Sequence, residues 1–498
     1  MTRCPLAGRR TLRESSWAVA VGLAMLAYAV YFSVYTCLVH LNFGTMAYDL
    51  GTVDQGVWLA GHSRDLFVTV RGLPLLGDHV RPIAFVLAPL YWVWDDVRIL
   101  LIVQTLFIAA GAVFVWRIGK LELPDRPAWV AALCIGYLLN PFVQNLNLDH
   151  VHPDAFASTF IFASIYFLRA ERYGPFWLSV ALAMSCKEDV PLVFVVLGMT
   201  LLLGPQRRIG VALTAVASAY FALCIGFILP YYNGVGFFRG TSFWGRARKH
   251  RVGGGVSLLS RLVSLGSAKY LFILGLPLAF VFVLAPITFA PALPALFANL
   301  VNDVWYPRSP NYHYATSIVP FMYIGAVDAL ARWAKLGTGA TAPGTRSLGA
   351  SRFSSALPAA LLLCCSVVSN IEYSKVPLTK LDQIGGLWRV RTLNRFNAEI
   401  HAVLDRIPRD AAVSADYTLV PHLSHRQRIY MFPNPFLAEQ WGIHGENSHD
   451  PSTIDYIVVR PGVAPDKQKK VLAPLVESGA FVREGNEKSV SLFVRAKR

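Results

Sequence analysis

The feature that most restricts this chain is a succession of long apolar runs separated by short polar turns. The first run, residues 17–39, contains no Asp, Glu, Lys or Arg. About 20 such residues in a helix span the hydrocarbon core of a bilayer. The run is too long for the apolar core of a cleaved leader and no small-residue cleavage site follows it, so it reads as an uncleaved span. Comparable runs recur at 97–119, 127–143, 154–170, 174–187, 189–204, 209–229, 269–289, 291–302, 313–333 and 354–370. The expected fold class is therefore an α-helical polytopic membrane protein with about eleven transmembrane helices.

Charge divides the chain in two. Residues 371–498 carry 18 Lys+Arg and 14 Asp+Glu in 128 positions, and residues 1–370 carry the remaining 28 and 16. Only the later region approaches the roughly 25% charged residues of a soluble protein. Residues 1–370 thus read as a membrane domain and 371–498 as a small soluble α/β domain. Within the latter, 371–391 reads as a basic, Gly-containing connector. Residues 392–407 have helical periodicity, with Leu393, Phe396, Ile400, Val403, Leu404 and Ile407 on one face. Short apolar runs at 411–414, 428–432, 455–459 and 490–495 suit strands, and 466–477 suits a helix.

The formal net charge of +16 raises the question of nucleic acid. Much of the excess, however, sits in short turns between apolar runs, where positive charge marks the cytoplasmic side. No nucleic-acid partner is expected. Arg3, Arg9, Arg10 and Arg13 place the N-terminus in the cytoplasm. Arg117, Lys120 and Arg126, then Arg169 and Arg172, then Arg207 and Arg208 alternate consistently with that. The alternation requires 82–94, a short segment with two prolines, to lie at the outer interface without crossing. The outer loops are then 40–96, 144–154, 230–268 and 302–312, and the C-terminal domain is extracytoplasmic. The expected location is the plasma membrane, crossed many times. One outer loop breaks the charge rule, because 230–268 contains Arg239, Arg246, Arg248, Lys249, His250, Arg251 and Arg261. An anionic ligand at the outer surface would explain it. The seven cysteines include no CxxC spacing, so neither a zinc site nor a disulfide framework is indicated.

The unusual polar groups all fall on that outer side. They comprise Asp49 and Asp54, Asp78-His79, the run Asp149-His150-Val151-His152-Pro153-Asp154, Lys187-Glu188-Asp189, and Tyr312-His313-Tyr314. Ionisable groups near membrane depth are costly and tend to be functional, and their convergence suggests a polar cavity. Asp49 and Asp54 are five apart and point in different directions on a helix. Asp49 follows the first span most closely and is the better candidate for a general base; Asp54 is the alternative. Asp149, His150, His152 and Asp154 are ligand types for a divalent metal such as Mg or Mn, although their spacing equally suits a hydrogen-bonded loop without one. Lys187 suits a phosphate, with Glu188 and Asp189 orienting it, or the three form an internally paired turn. Tyr312, His313 and Tyr314 suit a sugar or headgroup, or an interfacial aromatic belt.

Tyr48-Asp49-Leu50-Gly51 with Asp54-Gln55 and Trp58, Asp78-His79, Ala88-Pro89-Leu90-Tyr91, His152-Pro153-Asp154, Lys187-Glu188-Asp189, His313-Tyr314 and Pro421-His422-Leu423-Ser424-His425-Arg426 together resemble the bacterial and archaeal membrane proteins grouped as domain of unknown function 2079. The match runs over roughly 40–460. That family in turn resembles the GT-C glycosyltransferases, which use polyprenyl-phosphate sugars at the outer membrane face. The resemblance implies a catalytic Asp in the first outer loop, at Asp49 or else Asp54. It implies a second acidic position in the next outer loop, at Asp149, which some members use with the first to bind metal. It also implies a later outer loop that helps hold the lipid phosphate, for which Arg246, Arg248, Lys249 and Arg251 are the candidates. The chain departs from the pattern in having Asp-Leu-Gly where mannosyltransferases have an Asp-Glu pair. The expected function is transfer of a sugar from a polyprenyl-phosphate donor to a glycan, lipid or protein acceptor. A lipid or small-molecule transporter, or a non-catalytic membrane scaffold, are the alternatives. No phosphate-binding loop or Rossmann glycine pattern is present, which argues against a nucleotide-sugar donor.

Overall fold

The structure is a computed structural model that describes residues 12–236, 258–302, 304–339, 348–439, 446–447, 449–461 and 466–496. Among the described residues, five helical segments are long and apolar enough to cross a membrane: Ser15–Leu41, Arg98–Glu122, Pro127–Leu148, Arg207–Tyr232 and Ala356–Tyr373. Between them run shorter helices, among them Pro153–Arg169, Tyr173–Met184 and Pro191–Leu201, and the longer Val319–Gly339. Proline opens several of these helices, at Pro127, Pro141, Pro153 and Pro191. Its missing N–H costs nothing in the first turn, where no intrahelical partner exists. Within Pro127–Leu148 the chain breaks at Asn140, whose side chain accepts the Phe142 N–H at 2.9 Å and caps the second piece.

The bundle packs closely. At Gly119 an added Cβ would lie 2.6 Å from a Val130 methyl, so only glycine lets those two helices approach. Tyr137, Phe162, Tyr270, Phe321 and Tyr323 are fully buried between helices. The segmentation near 269–302 differs from the one expected. The apolar run does not continue to 289; it stops at Ala279 and Phe280, which adopt φ of 47° and 59°. The Phe280 ring turns back onto Gly275, where any side chain would collide with it. After a short 3-10 helix at Val281–Leu284 the chain becomes α-helical again at Pro286, so the two apolar segments are Leu265–Leu278 and Pro286–Val301. The run expected from 313 becomes α-helical only at Val319, after a tight turn at His313–Ala315.

The C-terminal region forms a five-stranded sheet. We label the strands β1 (Phe67–Val68), β2 (Leu73–Pro74), β3 (Val413–Ala415), β4 (Ile429–Met431), β5 (Tyr456–Val459), β6 (Phe481–Glu484) and β7 (Ser491–Arg495). The sheet order is β4-β3-β5-β7-β6. Strands β4, β3 and β5 are parallel, and β7 and β6 complete the sheet antiparallel. Side chains alternate between its two faces. Tyr430, Ile457, Phe481 and Phe493 pack with Leu472 and Leu475 of the helix Asp466–Glu477. Val413, Ala415, Ile429, Val458 and Leu492 join the core shared with the helical bundle. The sheet is thus welded to the bundle by one whole face. Strand β6 and the β1–β2 hairpin, which turns through Gly72 at φ 71°, were not expected from the sequence.

The connector also differs. Gln383–Leu393 is a helix lying along the first one. Tyr31 donates to the Leu381 carbonyl at 3.2 Å, Tyr35 to Gln383 at 3.2 Å, and Asn42 to the Leu387 carbonyl at 2.9 Å. Asn394 then caps a new helix by accepting the Phe396 N–H at 3.0 Å. That break in register leaves Leu393 and Phe396 exposed, whereas Ile400, Val403, Leu404 and Ile407 are buried as expected.

Candidate active site

The first helix ends at Leu41, and the chain then turns into a wide helical loop, Ala47–Gly51, that carries Asp49. The loop is docked on the C-terminal region by the Ala47 N–H, which donates to the Tyr417 carbonyl at 3.0 Å. The Asp49 carboxylate is half-buried and makes no hydrogen bond or ion pair among the described residues. Burial raises its pKa above the ordinary carboxylate range and Asp149 adds to this, while His152, Lys375 and Arg81 oppose it. A carboxylate shifted in this way binds a proton more readily than an exposed one.

Asp149, His152 and His313 meet beside it. The His313 ring nitrogen Nδ1 lies 3.0 Å from Asp149 Oδ2, the His313 backbone N–H donates to the same oxygen at 3.1 Å, and His152 Nε2 lies 3.5 Å from it. The two imidazoles stack with centroids 3.8 Å apart. One ligand atom from each of the three residues fits within 4.8 Å of the others, and His152 Nε2 is buried without a hydrogen-bond partner. Burial pushes the Asp149 pKa up and that of His152 down, because each charged form loses its hydration. The set fits a divalent ion. Two imidazoles and a carboxylate suit Mn or Zn better than Mg, which prefers oxygen ligands. Backbone geometry supports the arrangement: Gln104 donates to the His150 carbonyl at 2.6 Å and accepts the His152 N–H at 2.9 Å. His150, with φ of 62°, contributes that carbonyl, and its own ring is held neutral, its pKa pushed down to about 3 by burial, then by His152 and Lys375.

A second layer surrounds the cluster. Lys187 lies 3.4 Å from Asp154 and 3.7 Å from Asp189, so it is bound across helices rather than only within its own turn. Glu188 points the other way, accepting the Val80 N–H at 3.1 Å and lying 2.8 Å from His79 Nδ1. Arg81 lies 3.5 Å from Asp78. Lys375, just beyond the last apolar helix, stands over the Tyr312 ring at 5.7 Å and interacts with both Asp149 and Asp49. Lys375 and Arg81 were not among the site residues expected from the sequence. The only sequence signal for Lys375 is a lone cation immediately after an apolar run. Arg246, Arg248, Lys249 and Arg251 lie outside the described residues.

Asp54 has a different setting from Asp49. It is fully buried on the helix Thr52–Gly61. Tyr91 and Ser424 both donate short hydrogen bonds to it, and His425 Nε2 lies 3.2 Å away. The other His425 nitrogen lies 2.8 Å from Asp95, which also accepts from Trp58 at 3.1 Å and pairs with Arg409 at 3.1 Å. These contacts clamp the C-terminal region onto the first loop. Burial disfavours a charged His425, but Asp54 and Asp95 outweigh it and raise its pKa to about 9. A second tie joins Arg71 to Asp78 and Glu446.

Residues 39–478 match the family model described as "Predicted membrane protein (DUF2079)". No curated protein matches the chain. Among solved structures, the chain is similar to ArnT from Cupriavidus metallidurans bound to undecaprenyl phosphate. The identity is 14%, the TM-score is 0.57, and the match covers 96% of this chain and 98% of that one. The apo state of the same ArnT matches with 14% identity, a TM-score of 0.57, and 97% and 98% coverage. The two proteins share a fold over nearly their whole lengths.

Proposed function

The chain belongs to the DUF2079 family of predicted membrane proteins, and from that premise we propose that it is a GT-C-type glycosyltransferase. It takes a sugar from a polyprenyl-phosphate donor and passes it to an acceptor hydroxyl. The Asp49 end of the bundle is extracytoplasmic, and residues 371–498 form the domain that closes over it. The observation that carries this reading is the Asp49 carboxylate. Asp54, Asp78, Asp149, Asp154 and Glu188 around it all have hydrogen-bonding or ionic partners, whereas Asp49 has none among the described residues and interacts with basic groups across the cluster. The shared fold with a protein solved with undecaprenyl phosphate supports the donor class.

The chemistry follows from the charges. Asp49 accepts the acceptor hydroxyl's proton as the oxygen attacks the sugar's anomeric carbon. The bond from that carbon to the phosphate oxygen breaks, and polyprenyl phosphate leaves with the electron pair. Lys187, Arg81 and Lys375 supply fixed positive charge for the departing phosphate, preorganised by their ties to Asp154, Asp78 and Tyr312. Arg246, Arg248, Lys249 and Arg251 would add to it from the basic loop. Glu188 holds His79, and Asp189 holds Lys187, in positioning roles. A divalent ion at Asp149, His152 and His313 would, when bound, supply Lewis-acid stabilisation to phosphate oxygens.

Donor turnover tests the proposal. The chain in proteoliposomes, offered a panel of polyprenyl-phosphate sugars with a membrane extract as acceptor source, is expected to release polyprenyl phosphate. A folded chain that leaves every donor intact counts against it.

A further inference from the structure

A second cavity, of about 570 Å³, lies between the C-terminal region and the rim of the bundle. It shares no lining residue with Asp49 or with the Asp149 cluster. Its volume is that of a small-molecule site. Its floor is where two helices meet the rim, at His40 and Leu41 and at Asp95–Arg98, and its roof is residues 421–426 with Arg391 and His401.

The charges in this cavity do not cancel. Arg98 is paired with Asp96 at 2.8 Å, and Arg409 with Asp95. Arg426 has no carboxylate partner. It is 5% exposed, and its Nε and Nη1 donate only to the carbonyls of Leu423, Pro408 and Ala411, leaving Nη2 without an acceptor among the described residues. Arg391 is half-buried and makes no hydrogen bond or ion pair among the described residues. The acidic groups not already paired are Asp405, at the cavity's edge, and Asp410, which acts on Arg426; both are exposed to solvent, which screens them. A buried guanidinium bonded only to carbonyls is costly, and burial pulls its pKa down to about 10. His422, stacked on His40 with centroids 4.0 Å apart, adds an Nε2 that has no hydrogen-bond partner. Two guanidiniums without an ion-pair partner among the described residues, in one cavity, form a site for an oxyanion with several acceptor oxygens.

We propose that this cavity binds a phosphate-bearing headgroup, held by Arg391 and Arg426. The surroundings favour a lipid as the bearer of that phosphate. Arg391 sits on the helix Gln383–Leu393, which lies along the first membrane-spanning helix and exposes Trp388 and Leu393. Apolar side chains exposed beside a spanning helix, next to an open arginine, suit a headgroup in the cavity with its chains in the bilayer. The proposal stands apart from the transferase reading, because none of these residues acts in the chemistry proposed for Asp49.

The test is native mass spectrometry on the detergent-solubilised full chain, titrated separately with phosphatidic acid and with glycerol 1-phosphate. Wild type is expected to retain one phosphatidic acid. Arg391→Ala, which removes no protein–protein hydrogen bond, should weaken binding roughly tenfold. Arg426→Gln should weaken it further, with circular dichroism checking that the chain is folded. Lys467→Ala, at an exposed cation outside the cavity, and Asp49→Asn should bind as wild type does. Retention of glycerol phosphate as tightly as the lipid supports the site and assigns it a soluble phosphate. Binding of neither probe overturns the proposal, and so does lipid binding that survives unchanged in folded Arg391→Ala.

Discussion

Raising the pH should unlock the clamp between the first loop and the C-terminal region. His425 stands between Asp54, at 3.2 Å, and Asp95, at 2.8 Å. Their charges lift its pKa from the ordinary 6.5 to about 9 against the effect of burial. A folded-state pKa above the unfolded one means the stabilisation is complete below pH 6.5 and is lost as pH rises through 9. At about 1.4 kcal/mol per unit of pKa this amounts to about 3 kcal/mol. Solvent at Asp95, whose side chain is 34% exposed, trims it to about 2–3 kcal/mol, a factor of roughly 30 to 160 in opening. Hydrogen exchange, corrected for the intrinsic rate, should show the helix Thr52–Gly61 losing protection by that factor between pH 6.5 and 10. In His425→Gln the protection should be low and independent of pH. Flat protection in wild type, or an unchanged pH dependence in His425→Gln, would refute the reasoning.

Further outcomes follow from other clusters. Calorimetry with Mn or Zn should find one ion per chain, lost in Asp149→Ala and in His152→Ala; equal binding in these variants would remove the ion from the site. At the other end of the bundle, Arg169 makes two hydrogen bonds to Asp328, at 2.7 and 2.8 Å, and one to Glu122 at 3.0 Å. Arg169→Leu should lower stability in detergent by about 2–3 kcal/mol, since it leaves two partly buried carboxylates facing each other. An unchanged unfolding midpoint would show that this network contributes little.

The helices and most strands could be read from local pattern, because hydrophobic periodicity is a local property. The limits of that reading are physical. The break at Ala279 depends on where the Phe280 ring can lodge, and its receptor, Gly275, looks like any other glycine in an apolar run. The helix Gln383–Leu393 has glycines and charges that suit a connector, and its support comes from Tyr31, Tyr35 and Asn42, more than 340 positions earlier. Similarly, Asp54 and Asp49 looked alike as acids after the first span. What separates them is Ser424 and His425, which reach Asp54 from about 370 positions away. The Asp149 cluster was half legible. Its His152 lies three residues from Asp149, but His313 arrives from another helix, while His150, which looked equivalent in sequence, turns its ring elsewhere.

The most direct test of the central claim compares Asp49→Asn with Asp54→Asn in reconstituted chain, measuring polyprenyl phosphate released from a labelled polyprenyl-phosphate sugar. If Asp49 is the base, Asp49→Asn leaves the chain folded with hydrogen exchange unchanged at Thr52–Gly61 and cuts release at least a hundredfold, the upper range of about 10²–10⁴ for general-base catalysis included. Asp54→Asn instead loosens the clamp and retains turnover in proportion to the folded fraction. Wild-type release by Asp49→Asn, with loss confined to Asp54→Asn, would contradict the account.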